Sequence, residues 1–260
     1  MLLSLFLQLA LEPQDAQSQI LSQVRVDQRL GETVPLDLRF RGEDGAEVRL
    51  GDCFRDRPVL LALVYYECPS LCSMVLNGLV DGLREVGFTP GADFEVVIAS
   101  IDPGETPELA AAKKQAYLGR YGRPETAAGW HFLTGTQDPI ARLADAAGFR
   151  YVYDASTDQY AHGAVIYTLT PAGVLSRYLF GVDYPPRDLR LALVEASEGR
   201  IGTLADAVLL RCYHYDPESG RYGFAIFTAL RVGAAVTLLG LAALIFLLLR
   251  RERRARAAAA

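Results

Sequence analysis

The chain carries an unbroken apolar block, Val59-Leu60-Leu61-Ala62-Leu63-Val64-Tyr65-Tyr66. Eight residues are too few to cross a membrane, and the block is rich in strand formers, so it predicts a central strand buried on both faces. After Glu67 comes a short loop, Cys68-Pro69-Ser70-Leu71-Cys72. Met74, Val75, Leu76, Leu79, Val80, Leu83 and Val86 then recur at helical spacing. Two thiols are thereby expected in a turn between a buried strand and the start of a helix.

The same reading extends in both directions. Gln14 to Gln28 is polar and reads as a linker. Val34, Leu36, Leu38 and Phe40 alternate with polar or proline positions, which predicts a half-buried strand. Gly42-Glu43-Asp44-Gly45 turns it, and Val48 and Leu50 return as a hairpin. Phe94 to Ile101 is a second buried strand. Thr106-Pro107-Glu108 opens a capped helix to about Tyr121. Trp130–Leu133 is a short strand, Asp138 to Ala147 a helix and Phe149 to Tyr153 another strand. Ala164–Leu169 and Val174–Phe180 form a hairpin around Thr170-Pro171-Ala172-Gly173, and helices follow at Arg187–Ala196 and Leu204–Leu210. Strands alternating with helices, then a hairpin and a helix, imply an α/β fold around a central mixed sheet flanked by helices.

The cysteine loop is where the chemistry concentrates. Unpaired N–H groups and the positive end of a helix dipole favour a thiolate there. Pro69 keeps the turn from merging into the helix. Three residues separate Cys68 from Cys72, which permits a disulfide and also lets the sulfurs splay around a soft metal ion. A structural disulfide or two buried thiols are the plainer alternatives. Cys53, alone in Asp52-Cys53-Phe54, reads as a small buried side chain.

Composition changes the picture mainly at the ends. In 260 residues the formal net charge is −5. Five of the 26 basic residues and one of the 31 acidic ones fall in Arg250–Arg256, so the remainder holds 21 against 30, a net −9. An acidic body argues against nucleic acid as a partner, and four cysteines are too few for a disulfide scaffold at this length. Val232 to Leu249 is an uncharged apolar run of 18 residues, about 27 Å as a helix, followed by Arg250-Arg251-Glu252-Arg253-Arg254. It predicts a transmembrane helix at 228–249 with the basic tail, 250–260, in the cytoplasm and the preceding chain outside. Leu2–Leu11 resembles the apolar core of a signal peptide, although no Lys or Arg precedes Arg25. Residues 1–23 therefore form a signal-like segment and linker, 24–200 the core domain, and 201–227 a juxtamembrane segment. Cys212 and His214 in that segment read as an ordinary juxtamembrane loop, with a metal site or partner contact as the alternative.

Three histidines are present, His131, His162 and His214. His162 enters the strand beginning at Ala164; in a thioredoxin-like sheet that hairpin adjoins the cysteine strand, so the imidazole can face the two thiols. Two thiolates and an imidazole suit Cu(I), and hold Cu(II) with a further weak ligand. Surface or core filling is the plainer role for a lone histidine.

Tyr66-Glu67-Cys68-Pro69-Ser70-Leu71-Cys72, Ser100-Ile101-Asp102-Pro103 with Thr106-Pro107, and His162 before Ala164-Val165-Ile166-Tyr167 together resemble the Sco/SenC family. The resemblance covers roughly residues 30–197. It implies a thioredoxin-like fold, and it implies Cys68, Cys72 and His162 as copper ligands. The implied function is a membrane-anchored extracytoplasmic copper chaperone. Its expected partner is the copper-accepting subunit of cytochrome c oxidase, with a copper donor chaperone as a second candidate. The alternative is a thiol–disulfide oxidoreductase in which Cys68 and Cys72 form a redox-active disulfide and keep the acceptor cysteines reduced. A peroxide-reducing thiol enzyme is disfavoured, because no partner arginine is identifiable. Two features depart from many relatives. Ala161 stands where an aspartate precedes the histidine, leaving Asp158 as a candidate substitute, and the anchor is C-terminal.

Overall fold

The computed structural model describes residues 22–200 and, beyond them, Tyr215–Asp216, Arg221–Tyr222, Arg231, Thr237, Leu238 and Leu241. The chain divides into two compact units, Met1–Gly202 and Thr203–Ala260. In the second, Tyr215–Asp216 pairs antiparallel with Arg221–Tyr222. No helix among the described residues is long and apolar enough to cross a membrane. The signal-like segment, the helix expected at Leu204–Leu210, Cys212, His214, the basic tail and all but four positions of the expected span lie outside the described residues.

The first unit is a mixed α/β fold built on five strands. In chain order these are β4 (Val59–Val64), β5 (Glu95–Ser100), β6 (Trp130–Leu133), β10 (Val165–Leu169) and β11 (Leu175–Phe180), and their spatial order is β11-β10-β4-β5-β6. β4, β5 and β6 run parallel, with Val64 opposite Ser100 and Val97 opposite His131. β10 and β11 are antiparallel to their neighbours. All six residues of β4 and of β5 are buried, as expected of strands covered on both faces; β4 is apolar throughout, whereas β5 begins with Glu95 and ends with Ser100. Each large apolar side chain so placed contributes roughly 2 kcal/mol.

Helices cross between the parallel strands. α1 (Leu71–Leu83) links β4 to β5, and α2 (Pro107–Tyr121) links β5 to β6. α3 (Gln137–Ala146) follows β6, and α4 (Pro186–Ser197) follows β11. Thr106 caps α2 by accepting the Leu109 N–H at 3.4 Å, with Pro107 at the first helical position, as its sequence predicts. α1 packs against α2 and α4. Its Gly78 permits the closest approach, since a Cβ there would fall 1.8 Å from the Val182 carbonyl oxygen.

Four details differ from the pattern reading. The strand expected over Val34–Phe40 is confined to β2 (Arg39–Arg41), paired with β3 (Glu47–Arg49). Pro35 has no N–H to give to a ladder and its carbonyl closes a turn with Leu38 N–H, so the alternation there reflects burial without a strand. Met74 is 50% exposed, and the buried face of α1 runs through Val75, Leu76, Leu79, Val80 and Leu83. Within the expected linker, β1 (Arg25–Val26) pairs with β7 (Phe149–Arg150). The strand expected from Phe149 to Tyr153 is broken, and its second part, β8 (Val152–Asp154), forms a hairpin with β9 (Gln159–Ala161) that the pattern did not reveal.

Candidate metal centre

Topology brings the three ligand candidates to one end of the sheet. β4 runs toward the cysteine loop, and β10 runs antiparallel to it with Ile166 opposite Ala62. The residues just before β10 therefore stand beside those just after β4. His162 precedes β10 by three positions, while Cys68 follows β4 by four. α1 begins at Leu71, so Cys72 lies in the first helical turn rather than in the loop. Cys68, Cys72 and His162 are all buried, and one ligand atom from each lies within 4.8 Å of the others.

The polarity of each atom is fixed by its neighbours. His162 Nδ1 is 2.9 Å from the Gly163 carbonyl oxygen. A carbonyl only accepts, so Nδ1 carries a hydrogen, and Nε2 is the ring atom that faces Cys72 Sγ at 2.9 Å. The Cys72 amide in the first turn of α1 donates to Cys68 Sγ at 3.3 Å. The Tyr65 amide donates to Cys72 Sγ at 3.5 Å. The Cys72 side chain, then His162 and the amides of Cys72 and Ser70, stabilise a Cys68 thiolate well below the usual thiol range, against the opposing effect of burial. That thiolate beside it, and then burial, push the Cys72 thiol up. Two sulfurs and one ring nitrogen thus converge at one buried point, a donor set that a soft cation satisfies. Cys68 and Cys72 are free thiols.

Aromatic rings wall the imidazole. Tyr65 meets His162 edge-on with centroids 6.0 Å apart, and Phe149 lies 5.8 Å away. Tyr160 packs on Tyr65 at 5.5 Å and on Tyr153 at 5.1 Å. These rings come from the residue after β4 and from β7, β8 and β9, segments far apart in the chain, and no local pattern groups them.

The remaining candidates fall elsewhere. His131 Nε2 is 3.0 Å from Glu95 Oε2, and Arg57 completes that buried cluster at 2.7 Å from Oε1. Asp158, the substitute considered for the aspartate absent at Ala161, is exposed and accepts the Tyr153 hydroxyl at 2.6 Å. Gly163 O is what holds the His162 ring nitrogen. Cys53 is buried, and burial, with a smaller push from Asp52, raises its thiol to about 12. Glu105 was not singled out from sequence, yet it is 8% exposed and bonds to the amide preceding Cys68.

A model of the SCO1/SenC family matches residues 29–194, well over half of the chain. The chain belongs to the SCO1/SenC family. Among solved structures, a putative electron transfer protein from Aquifex aeolicus VF5 is 27% identical. The match covers 66% of this chain and 96% of that one, with TM-score 0.57. Arabidopsis thaliana ScoI with copper bound is 18% identical, over 62% and 96% of the two chains, with TM-score 0.50. BsSco, described with a disulfide switch and as a member of the Sco family of cytochrome c oxidase assembly proteins, is 21% identical. It is matched over 66% and 98%, with TM-score 0.52. At those lower identities the likeness is one of fold. No curated protein matches the chain. The SCO1/SenC family is associated with copper and with oxidase assembly, and this member holds a Cys-Cys-His set suited to copper.

Proposed function

We propose that this SCO1/SenC protein is a membrane-anchored extracytoplasmic copper chaperone that delivers copper to the binuclear copper site of cytochrome c oxidase. Cys68, Cys72 and His162 hold the cargo. The observation that carries the reading is the convergence of two buried sulfurs and the His162 Nε2 within 4.8 Å. Two thiolates suffice for Cu(I), and the imidazole adds the nitrogen donor that Cu(II) prefers. Transfer proceeds by ligand exchange, with an incoming acceptor thiolate displacing His162 first and the cysteines in turn. The apolar run Val232–Leu249 and its arginine flank support a C-terminal anchor with the SCO1/SenC domain outside the cytoplasm. Tethering raises the effective concentration of donor near a membrane-bound acceptor. The acceptor subunit and a copper donor chaperone are the proposed partners.

The split between a stabilised Cys68 thiolate and a protonated Cys72 supports a second reading, thiol–disulfide exchange. There the Cys68 thiolate attacks an acceptor disulfide and Cys72 resolves the mixed disulfide. Two electrons pass to the acceptor, the Cys72 proton goes to a departing thiolate, and a Cys68–Cys72 disulfide remains. His162→Ala separates the two readings. For the chaperone, the purified variant loses Cu(II) and keeps a weakened Cu(I) site, and cells carrying it make copper-deficient oxidase. Normal oxidase copper in that strain, with failure in a Cys68→Ser strain, would give the role to the oxidoreductase.

A further inference from the structure

Glu105 is a carboxylate buried at the edge of the metal centre. Its side chain accepts the Glu67 N–H at 2.8 Å through Oε1 and the Ser100 hydroxyl at 2.6 Å through Oε2. Ser100 Oγ in turn accepts the Asp102 N–H at 3.0 Å. Among the described residues no Lys, Arg or His forms an ion pair with Glu105. Burial weakens it as an acid, and the hydrogen bonds from Ser100 and the Tyr66 and Glu67 amides work against that. Leaving a charge in such a place is expensive unless donors surround it, so its use has to be sought in what the donors do.

The donors belong to the chain that carries Cys68. The β4–β5 ladder reaches Val64 opposite Ser100, and the Ile101 N–H still bonds to Val64 O at 2.8 Å. Beyond that point the chain from Tyr65 to Ser70 leaves the sheet, and its amides lose their strand partners. Glu105 extends the pairing with a side chain. It stands on the turn after β5, where Gly104 N–H bonds to Asp102 Oδ1 at 2.7 Å, and it directly precedes the capped start of α2. One end of the clamp is therefore anchored to β5 and α2, and the other grips the residue before the first sulfur.

We infer that Glu105 is the positioning residue of the cysteine loop, and that this clamp sets where Cys68 Sγ stands relative to Cys72 Sγ and His162 Nε2. The inference rests on the copper reading of that site. Cys72 is already fixed by α1 and His162 by its bond to Gly163 O. Cys68, in contrast, sits in a loop, and rotation about the Glu67 backbone would carry its sulfur out of the cluster. An acceptor at Glu105 removes that freedom. The role belongs to the acceptor oxygen, which a glutamine also supplies, with Ser100 free to turn its hydroxyl and receive the amide.

The test uses the full chain as wild type, Glu105→Ala, Glu105→Gln and Ser100→Ala. Amide hydrogen exchange is read on metal-free protein over residues 59–71, and Cu(I) affinity by competition with a chelator. Glu105→Ala should speed exchange at Tyr66 and Glu67 and weaken Cu(I) binding by about 10- to 100-fold, the range for partners that hold a ligand in place. Glu105→Gln should restore slow exchange and most of the affinity, which a merely volume-filling role would not require. Ser100→Ala, a milder change, should fall between and keeps the question open to decision if Glu105→Ala does not fold. Unchanged exchange in both Glu105→Ala and Ser100→Ala would overturn the inference. A loosened loop with undiminished copper affinity, or a Glu105→Gln as impaired as Glu105→Ala, would overturn it too. A wild-type chain that binds no copper is a different failure. It would remove the chaperone reading, while the exchange data would still decide whether Glu105 holds the loop.

Discussion

β5 separates two buried carboxylates, and they are handled in opposite ways. Glu95, its first residue, is wholly buried, paired with Arg57 at 2.7 Å and hydrogen-bonded with His131 at 3.0 Å. Glu105, five residues past its end, is held by an amide and a hydroxyl and forms no ion pair among the described residues. Each end of the sheet also has a histidine. His131 is spent on a carboxylate, whereas His162 gives its Nδ1 hydrogen to a backbone carbonyl and turns Nε2 toward the thiols. The first end pairs its carboxylate with an arginine; the second gathers three donors that suit a soft metal. That difference makes a metal ion welcome at one end and superfluous at the other.

The largest effect should come from breaking the three-donor end. Cys72→Ser removes a donor from the centre, and the affinity for Cu(I) should drop by more than about 100-fold, beyond the loss typical of an outer partner. Competitive chelator titration measures it, and thermal stability should change little beside that loss. Retained tight binding would mean the cluster is not the copper site.

Next in size is damage to the arginine-paired end. Arg57→Ala leaves Glu95 buried with only His131 to offset it. Denaturant unfolding should give a destabilisation of about 3 kcal/mol, at the low end for a broken buried pair because Arg57 is 33% exposed. Copper affinity should stay at the wild-type value. A parallel loss of copper binding would show that the two ends are coupled, and the contrast would fail.

A smaller effect sharpens the comparison through pH. The folded protein holds the Glu105 proton more tightly than the unfolded chain, since burial raises its pKa above 4.5. A group raised on folding contributes stability below its unfolded pKa and loses that contribution as pH rises through the folded value. Relative to Glu105→Gln, wild type should therefore weaken from about pH 4.5 toward neutrality, leaving the glutamine variant at least as stable at pH 7. Unfolding midpoints across that range check this, and a wild type that gains stability relative to Glu105→Gln as pH rises would overturn it.

The smallest effect concerns Cys53, buried away from either cluster with its thiol raised to about 12. Cys53→Ala should cost roughly 1 kcal/mol and leave copper stoichiometry unchanged. In the native protein at neutral pH, alkylation followed by peptide mapping should label Cys68 well before Cys53. Rapid labelling of Cys53 would contradict its burial.

Much of this was legible along the chain because it depends on local regularities. The apolar runs at Val59–Val64 and Glu95–Ser100 lie on strands buried on both faces, and Thr106-Pro107 caps α2 where its own side chains dictate. The strand–loop–helix passage around Cys68 and Cys72 is likewise a short-range matter. Val34–Phe40 misled because alternation reports burial, while a strand also needs a partner and an N–H that Pro35 lacks. Met74 misled because it is the one apolar residue of the helical stripe that lies off the face α1 buries.

The amino-acid sequence by itself determined the fold class, the two thiols at the head of a helix and the apolar C-terminal run, since each is written in neighbouring residues. The tertiary structure set His162, which the resemblance had implied, against the thiols, and it alone decided which carboxylate lacks an ion pair among the described residues and which rings enclose the imidazole. Cys72 and His162 are 90 residues apart, as Glu105 is 38 from Glu67. Such pairs meet through the antiparallel placement of β10 beside β4 and the parallel placement of β5, and strand order is a property of the whole sheet. Tautomer and charge follow the same rule: they are set by the atoms that packing brings within hydrogen-bond reach.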